Sequence, residues 1–184
     1  VETVKSAAAG NGAALAIAGS MLSSRRVASP NRRRSARMPT TPSNADLVRA
    51  AYEHWEQSHG LDPEPFFALV SEDFTMASVL DPPDLHELAR DHYGLDRVRD
   101  YFAALEADWE MIDFPTEQVV EQGDTVVWIG RCTWRNRHTG SIATTPKVDI
   151  WTFRDGRAVR MFEMFDTLAF ARGAGMLQQL AATA

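Results

Sequence analysis

The chain has a single cysteine, Cys132, among its 184 residues. One thiol excludes an intrachain disulfide and a cysteine-rich metal site, and it suits a reducing cytoplasm. No run of about 18 apolar residues occurs, so nothing in the sequence reads as a membrane-spanning helix. A phosphate-binding glycine loop, a dinucleotide fingerprint and a nucleophile elbow are all missing. His86 and His92 lie six apart without a further His or Cys cluster, so no metal ligand set is expected, and no cofactor. Aromatic residues are absent from positions 1–44, which are rich in Ala, Ser, Arg, Gly and Pro. Such a segment cannot bury enough apolar surface to offset its ordering entropy. Residues 1–43 therefore read as a disordered basic tail, with an Arg/Ser-rich transit peptide as the alternative. Residues 44–184 read as one folded domain.

Charge is divided unevenly. Positions 1–45 carry seven basic residues, Lys5 and six from Arg25 to Arg37, against Glu2 alone. The acidic residues are concentrated in the remainder, and the whole chain is net −6. An acidic body lacks the basic surface that phosphate binding needs, so nucleic acid is not an expected partner.

Ser43-Asn44 are good N-cap residues, and Leu47, Val48, Ala51, Tyr52 and Trp55 recur at helical spacing. Gly60 ends that helix, and Asp62-Pro63 opens a short second one. A strand is expected near Phe74–Val79, then a polar loop over Asp81–Tyr93 with one helical turn. Leu95, Val98, Phe102, Leu105 and Trp109 mark a third helix. Beyond Glu110 the apolar period becomes two, with strands at about 111–121, 124–136, 144–154 and 157–167 joined as an antiparallel meander. Residues 168–180 read as a helical tail. Helices first and strands afterwards mean α+β.

Alternation assigns the faces. Val126, Trp128, Gly130, Cys132 and Trp134 form the greasier face of their strand. Lys147, Asp149, Trp151 and Phe153 share a face of the next, and Val159, Met161, Glu163 and Phe165 share one of the last. Reading Arg154-Asp155-Gly156 as a three-residue loop pairs Phe153 with Arg157, Lys147 with Glu163 and Asp149 with Met161. Three ionisable groups then lie among aromatics, where an unpaired charge is costly. Either Lys147 and Glu163 form a structural ion pair at the rim of a pocket, or Glu163 or Asp149 is a carboxyl of raised pKa suited to proton transfer.

The order of helices followed by a meander ending in Lys147–Thr167, KVDIWTFRDGRAVRMFEMFDT, resembles the SnoaL-like branch of the nuclear transport factor 2-like superfamily. That branch includes polyketide cyclases and relatives of ketosteroid isomerase. The resemblance covers about 44–173. It implies a curved antiparallel sheet, a cone, closed by N-terminal helices around an apolar pocket, and a homodimer through the sheet. In ketosteroid isomerase an oxyanion-stabilising aspartic acid lies four residues before a phenylalanine, a spacing that Asp149 and Phe153 match. Asp81-Pro82 is similar to the segment of its catalytic base but about two residues late. Glu163 matches the catalytic acid in the last strand of limonene epoxide hydrolase, whose partner positions are occupied here by Gly130 and Cys132.

Together these readings lead to a cofactor-independent protein binding a small apolar cyclic molecule. Tyr52, Trp55, Trp128, Trp134, Trp151, Met161 and Phe165 are the expected pocket residues. Glu163 or Asp149 would transfer the proton, Lys147 would tune the nearby carboxylate, and Asp81 or His86 would complete the site from the loop. Isomerisation, cyclisation and dehydration need no more than acid, base and a dry pocket. The alternative is a noncatalytic ligand-binding or dimerising module of the same fold.

Overall fold

The computed structural model describes residues 41–80 and 86–177. Helix α1, Asn44–Gln57, begins with a capping box: Ser43 Oγ accepts from the Asp46 amide, and Asp46 accepts from the Ser43 amide in return. Its buried face is Val48, Ala51, Tyr52 and Trp55, as the spacing predicts. The short α2, Glu64–Leu69, turns Phe66, Phe67 and Leu69 inward. It runs directly into β1, Val70–Ser78, a strand that starts four residues earlier than periodicity suggests. Within the expected polar loop, Glu87–Ala89 is a single 3-10 turn and His92–Tyr93 forms β2 against β1. Helix α3, Leu95–Asp108, follows.

The strand expected over 111–121 is two strands, β3 (Trp109–Asp113) and β4 (Thr116–Gln122), broken at Phe114-Pro115. Proline removes a ladder donor, and here it lets the chain pair with both halves of one long strand, β5 (Thr125–Asn136). Strands β6 (Ile142–Arg154) and β7 (Arg157–Phe165) complete the meander, and α4, Thr167–Gly173, is capped by Asp166. The sheet order is β2-β1-β7-β6-β5-β3, with β4 also on β5. Because β1 comes round to lie parallel to β7, the sheet is mixed and curls into a half-barrel over the helices. The α+β cone is thus as expected, with this one parallel pairing added.

The faces are those read from alternation, except that Ala158 takes the buried place expected for Val159, but the β6–β7 register is not. Asp155-Gly156 is a two-residue turn with φ of 52° and 76° at the two positions, so Arg154 pairs with Arg157. Positive φ at both central residues is the type I′ geometry that matches strand twist. That turn alone would put Asp149 and Glu163 on opposite faces. A bulge one step further on, between Phe153↔Ala158 and Thr152↔Arg160, inserts Val159 and reverses the parity again. Asp149 therefore stands directly opposite Glu163, Trp151 opposite Met161, and Lys147 opposite Phe165. The expected partners Lys147/Glu163, Asp149/Met161 and Phe153/Arg157 are each displaced.

Candidate functional site

Inward-facing side chains of β5, β6 and β7 meet the aromatic faces of α1, α2 and α3 around an internal cavity of about 90 Å³. Tyr52, Trp55, Trp134, Trp151, Met161 and Phe165 line it, together with Lys147, Asp149 and Glu163. Trp128, expected beside them, is not in the lining. Its ring stacks on Tyr52 with centroids 4.2 Å apart and its indole N–H donates to Thr116 Oγ1 at 2.9 Å, so it backs the wall instead of forming it.

Five polar side chains come together in this apolar setting. Asp149 and Glu163 are each 1% exposed. Lys147 lies between them on the inner face of β6: its Nζ is 2.9 Å from Asp149 Oδ1 and is hydrogen-bonded to Glu163 Oε2. The Lys147–Glu163 contact is diagonal, not directly cross-strand, and it is buried instead of sitting at a rim. Tyr101, from α3, donates to both carboxylate oxygens of Glu163, at 3.2 and 3.1 Å. Tyr52, from α1, donates to Asp149 Oδ2 and accepts from the Trp151 indole N–H at 3.2 Å. Asp149 Oδ1 receives no hydrogen bond of good geometry, so Lys147 meets it electrostatically.

One ammonium serves two carboxylates, which is one negative charge too many for so dry a site. Burial raises the pKa of Asp149; Lys147 opposes the rise, and the neighbouring Glu163 charge adds to it. Burial alone would lower Lys147, but the two carboxylates outweigh it and hold the lysine well above its ordinary pKa. Tyr52 and Tyr101 are both pushed well up, chiefly by burial and then by their carboxylate partners, so both remain hydrogen-bond donors. Tyr101 and Lys147 donate to Glu163, while Tyr52 and Lys147 face the two oxygens of Asp149. Burial thus favours the protonated form of Asp149 against the pull of Lys147 and Tyr52. The arrangement can give a proton and stabilise the carboxylate left behind.

Among the loop residues, His86 is not brought to the carboxylates. Its Nε2 lies 3.3 Å from Asp108 Oδ2, its Nδ1 accepts from the Leu88 amide at 3.1 Å, and its ring packs edge-on to Phe170. Burial lowers its pKa against the pull of Asp108. It fastens the loop to the end of α3. Asp81 lies outside the described residues. Cys132 is buried and its thiol is pushed up to about 12, chiefly by burial, which leaves it a packing residue. Among the described residues, no group of three or more His, Cys, Asp or Glu is placed to hold a metal ion. No helix among them is long and apolar enough to cross a membrane.

Tyr101 is the site residue that sequence reasoning missed. It follows Val98 by three, on the same helical face, and that spacing was the signal available. Tyr52 was legible as a wall residue but not as the donor to Asp149.

Known proteins with this architecture are numerous. An NTF2-like protein of unknown function from Burkholderia pseudomallei superposes with a TM-score of 0.63 at 24% identity, over 72% of this chain and 98% of that one. TerC, co-crystallised with polyporic acid, superposes with a TM-score of 0.62 at 26% identity, over 71% and 97%. A protein with a ketosteroid isomerase-like fold from Catenulispora acidiphila, in complex with trimethylamine, gives 0.57 at 15% identity, over 74% and 95%. No functionally curated protein matches the chain. The SnoaL-like domain family model matches residues 48–161, a span that runs from the first buried residue of α1 to the middle of β7 and stops short of Glu163, and the chain belongs to that family.

Proposed function

We propose that this domain is a cofactor-independent acid–base enzyme acting on a small, largely apolar compound, of the isomerase, cyclase or dehydratase type. The observation that carries this reading is Asp149. It lines the cavity, its pKa is raised, and its Oδ1 faces the Lys147 ammonium. In an isomerisation, Asp149 gives its proton to an oxygen of the substrate. Lys147, 2.9 Å away, stabilises the carboxylate that remains. The same carboxylate then takes a proton from a neighbouring carbon, and the enzyme returns to its starting state. Tyr52 orients Asp149, and Tyr101 with Glu163 holds Lys147 in place. The likeness to TerC, crystallised with polyporic acid, supports an organic ligand in the same kind of cavity.

One observation favours a second reading, a noncatalytic module. The cavity of about 90 Å³ is smaller than the roughly 150 Å³ that admits benzene in an engineered apolar core. A thermal-shift scan against steroids, polyketide-like aromatics, terpenoid epoxides and small phenols separates the two. A ligand at one hundred times its Kd adds about 2.7 kcal/mol. Stabilisation by one chemical class, with turnover lost in Asp149→Asn, is the expected result. Absence of any shift across the panel would remove the enzyme reading.

We further propose a homodimer through the outer face of the sheet. Val148, Ile150, Phe162 and Met164 form one half-buried apolar patch there, with Val148 opposite Met164 and Ile150 opposite Phe162. Ile150→Lys should convert a dimer to a monomer in light scattering, and a wild-type monomer would refute the proposal.

A further inference from the structure

A second cavity, of about 300 Å³, adjoins the first. Trp109 and Trp134 belong to the walls of both. Trp109 opens β3 and Trp134 lies near the end of β5, where the two strands pair. The two indoles therefore partition an inner, apolar chamber holding Asp149 from an outer, polar one. The outer chamber contains His59, Glu106, Glu110 and Arg137. Glu110 is paired with Arg135 at 3.0 Å, and Arg137 Nε donates to the Glu106 carbonyl at 3.0 Å.

The partition carries an unmet donor. Trp109 is 2% exposed, yet its indole N–H has no hydrogen-bond partner among the described residues. The indole N–H groups of Trp128 and Trp151 are both satisfied, by Thr116 and Tyr52. A buried tryptophan N–H normally finds a partner, and leaving one unmade costs the desolvation of the donor. The inner chamber, taken alone, does not hold a ring of benzene size.

The geometry points to one elongated binding site spanning both chambers, for a cyclic ligand longer than the inner chamber that carries a hydrogen-bond-accepting oxygen at the end remote from Asp149, received by the Trp109 indole N–H. The inference rests on the reading of Asp149 as the group that meets the ligand's other oxygen. Binding requires the Trp109/Trp134 wall to part so that the two chambers join. The remote oxygen is that of an ether or ketone, or of a carboxylate that also reaches the exposed guanidinium of Arg137; the two are separable by experiment.

The test is a set of matched bicyclic ketones titrated calorimetrically into the full chain: 6-ethyl-1-tetralone, 6-methoxy-1-tetralone and 1-tetralone-6-carboxylate. The ethyl and methoxy compounds have the same shape and differ in the acceptor oxygen. The methoxy compound should bind about tenfold more tightly. Trp109→Phe should abolish that preference, whatever it does to the affinity that the two compounds share. In wild type the Trp109 indole proton resonance should lie further downfield with the methoxy compound bound than with the ethyl one, a readout that does not depend on any variant folding. Carboxylate tighter than ether identifies an anionic remote group, and the reverse a neutral one; either upholds the proposal. Equal binding of the ethyl and methoxy compounds, a preference that survives Trp109→Phe, or no binding by any of the three would overturn it. Failure of the underlying reading looks different: Asp149→Asn would then leave the affinity of all three ketones unchanged.

Discussion

Replacing Lys147 by methionine tests the electrostatics of the cluster most severely. Lys147 is 9% exposed, and it is the cation within ion-pair distance of both Asp149 and Glu163. Methionine keeps the length of the side chain and removes its charge. Two carboxylates, each 1% exposed, are then left without a counter-ion. Removing one partner from a buried ion pair typically costs about 3–5 kcal/mol, because the other charge stays buried and unpaired. For a domain of this size each kcal/mol lowers Tm by about 3–4 °C, so a fall of about 10–20 °C is expected at pH 7. The pH dependence gives the diagnosis. With the lysine gone, only the Tyr52 hydrogen bond opposes the rise that burial imposes on Asp149, so the variant takes up more protons on folding than wild type. Stability falls with rising pH wherever the folded state binds more protons than the unfolded one. Urea denaturation of Lys147→Met should therefore show a smaller deficit against wild type at pH 5 than at pH 7. A loss under about 1 kcal/mol at pH 7, or a deficit equal at the two pH values, would refute the claim that Lys147 neutralises this pair.

Three further outcomes follow from the same geometry. Asp149 has a folded pKa raised above its unfolded value, so wild-type stability should decline as pH rises from the unfolded carboxylate pKa through the folded one; Asp149→Asn should flatten that limb in a stability–pH profile. Tyr52→Phe removes the donor to Asp149 and the acceptor for the Trp151 N–H, and should cost about 1–3 kcal/mol by denaturant titration. Gly130→Ala would set a Cβ 2.3 Å from Trp128 and 2.4 Å from the Pro115 carbonyl oxygen, and should destabilise by at least about 1–3 kcal/mol in the same assay.

Much of this fold is written in local pattern. The period of α1, its Ser43 cap and the alternation along β5 each follow from a few neighbouring residues, and all three are found where the pattern puts them. The shared face of Lys147, Asp149 and Glu163 is found as well, but by a different route. A two-residue turn at Asp155-Gly156 is compensated by a bulge at Val159, a valine between ordinary strand residues that carries no signature of a bulge. Faces survive an even shift in register while partners do not, which is why Asp149 meets Glu163 and not Met161. The hydrogen bonds of the two tyrosines are not legible in the sequence for a related reason. Tyr52 and Tyr101 look like ordinary core residues of two helices, and only the tertiary fold aims their hydroxyls at carboxylates from β6 and β7. Cavity volume is less legible still, since it depends on how some two dozen side chains from every layer fill the same space.

The central claim is that burial and the neighbouring Glu163 hold the pKa of Asp149 above its ordinary value, with Lys147 opposing the rise. Carbon-13 NMR of the side-chain carboxyl of Asp149, followed across a pH titration, reads this directly. The account predicts a midpoint above the ordinary aspartate value of about 3.9, moving down when Glu163→Gln removes the neighbouring charge. An Asp149 carboxyl that titrates at or below that ordinary value, or one indifferent to Glu163→Gln, would contradict it.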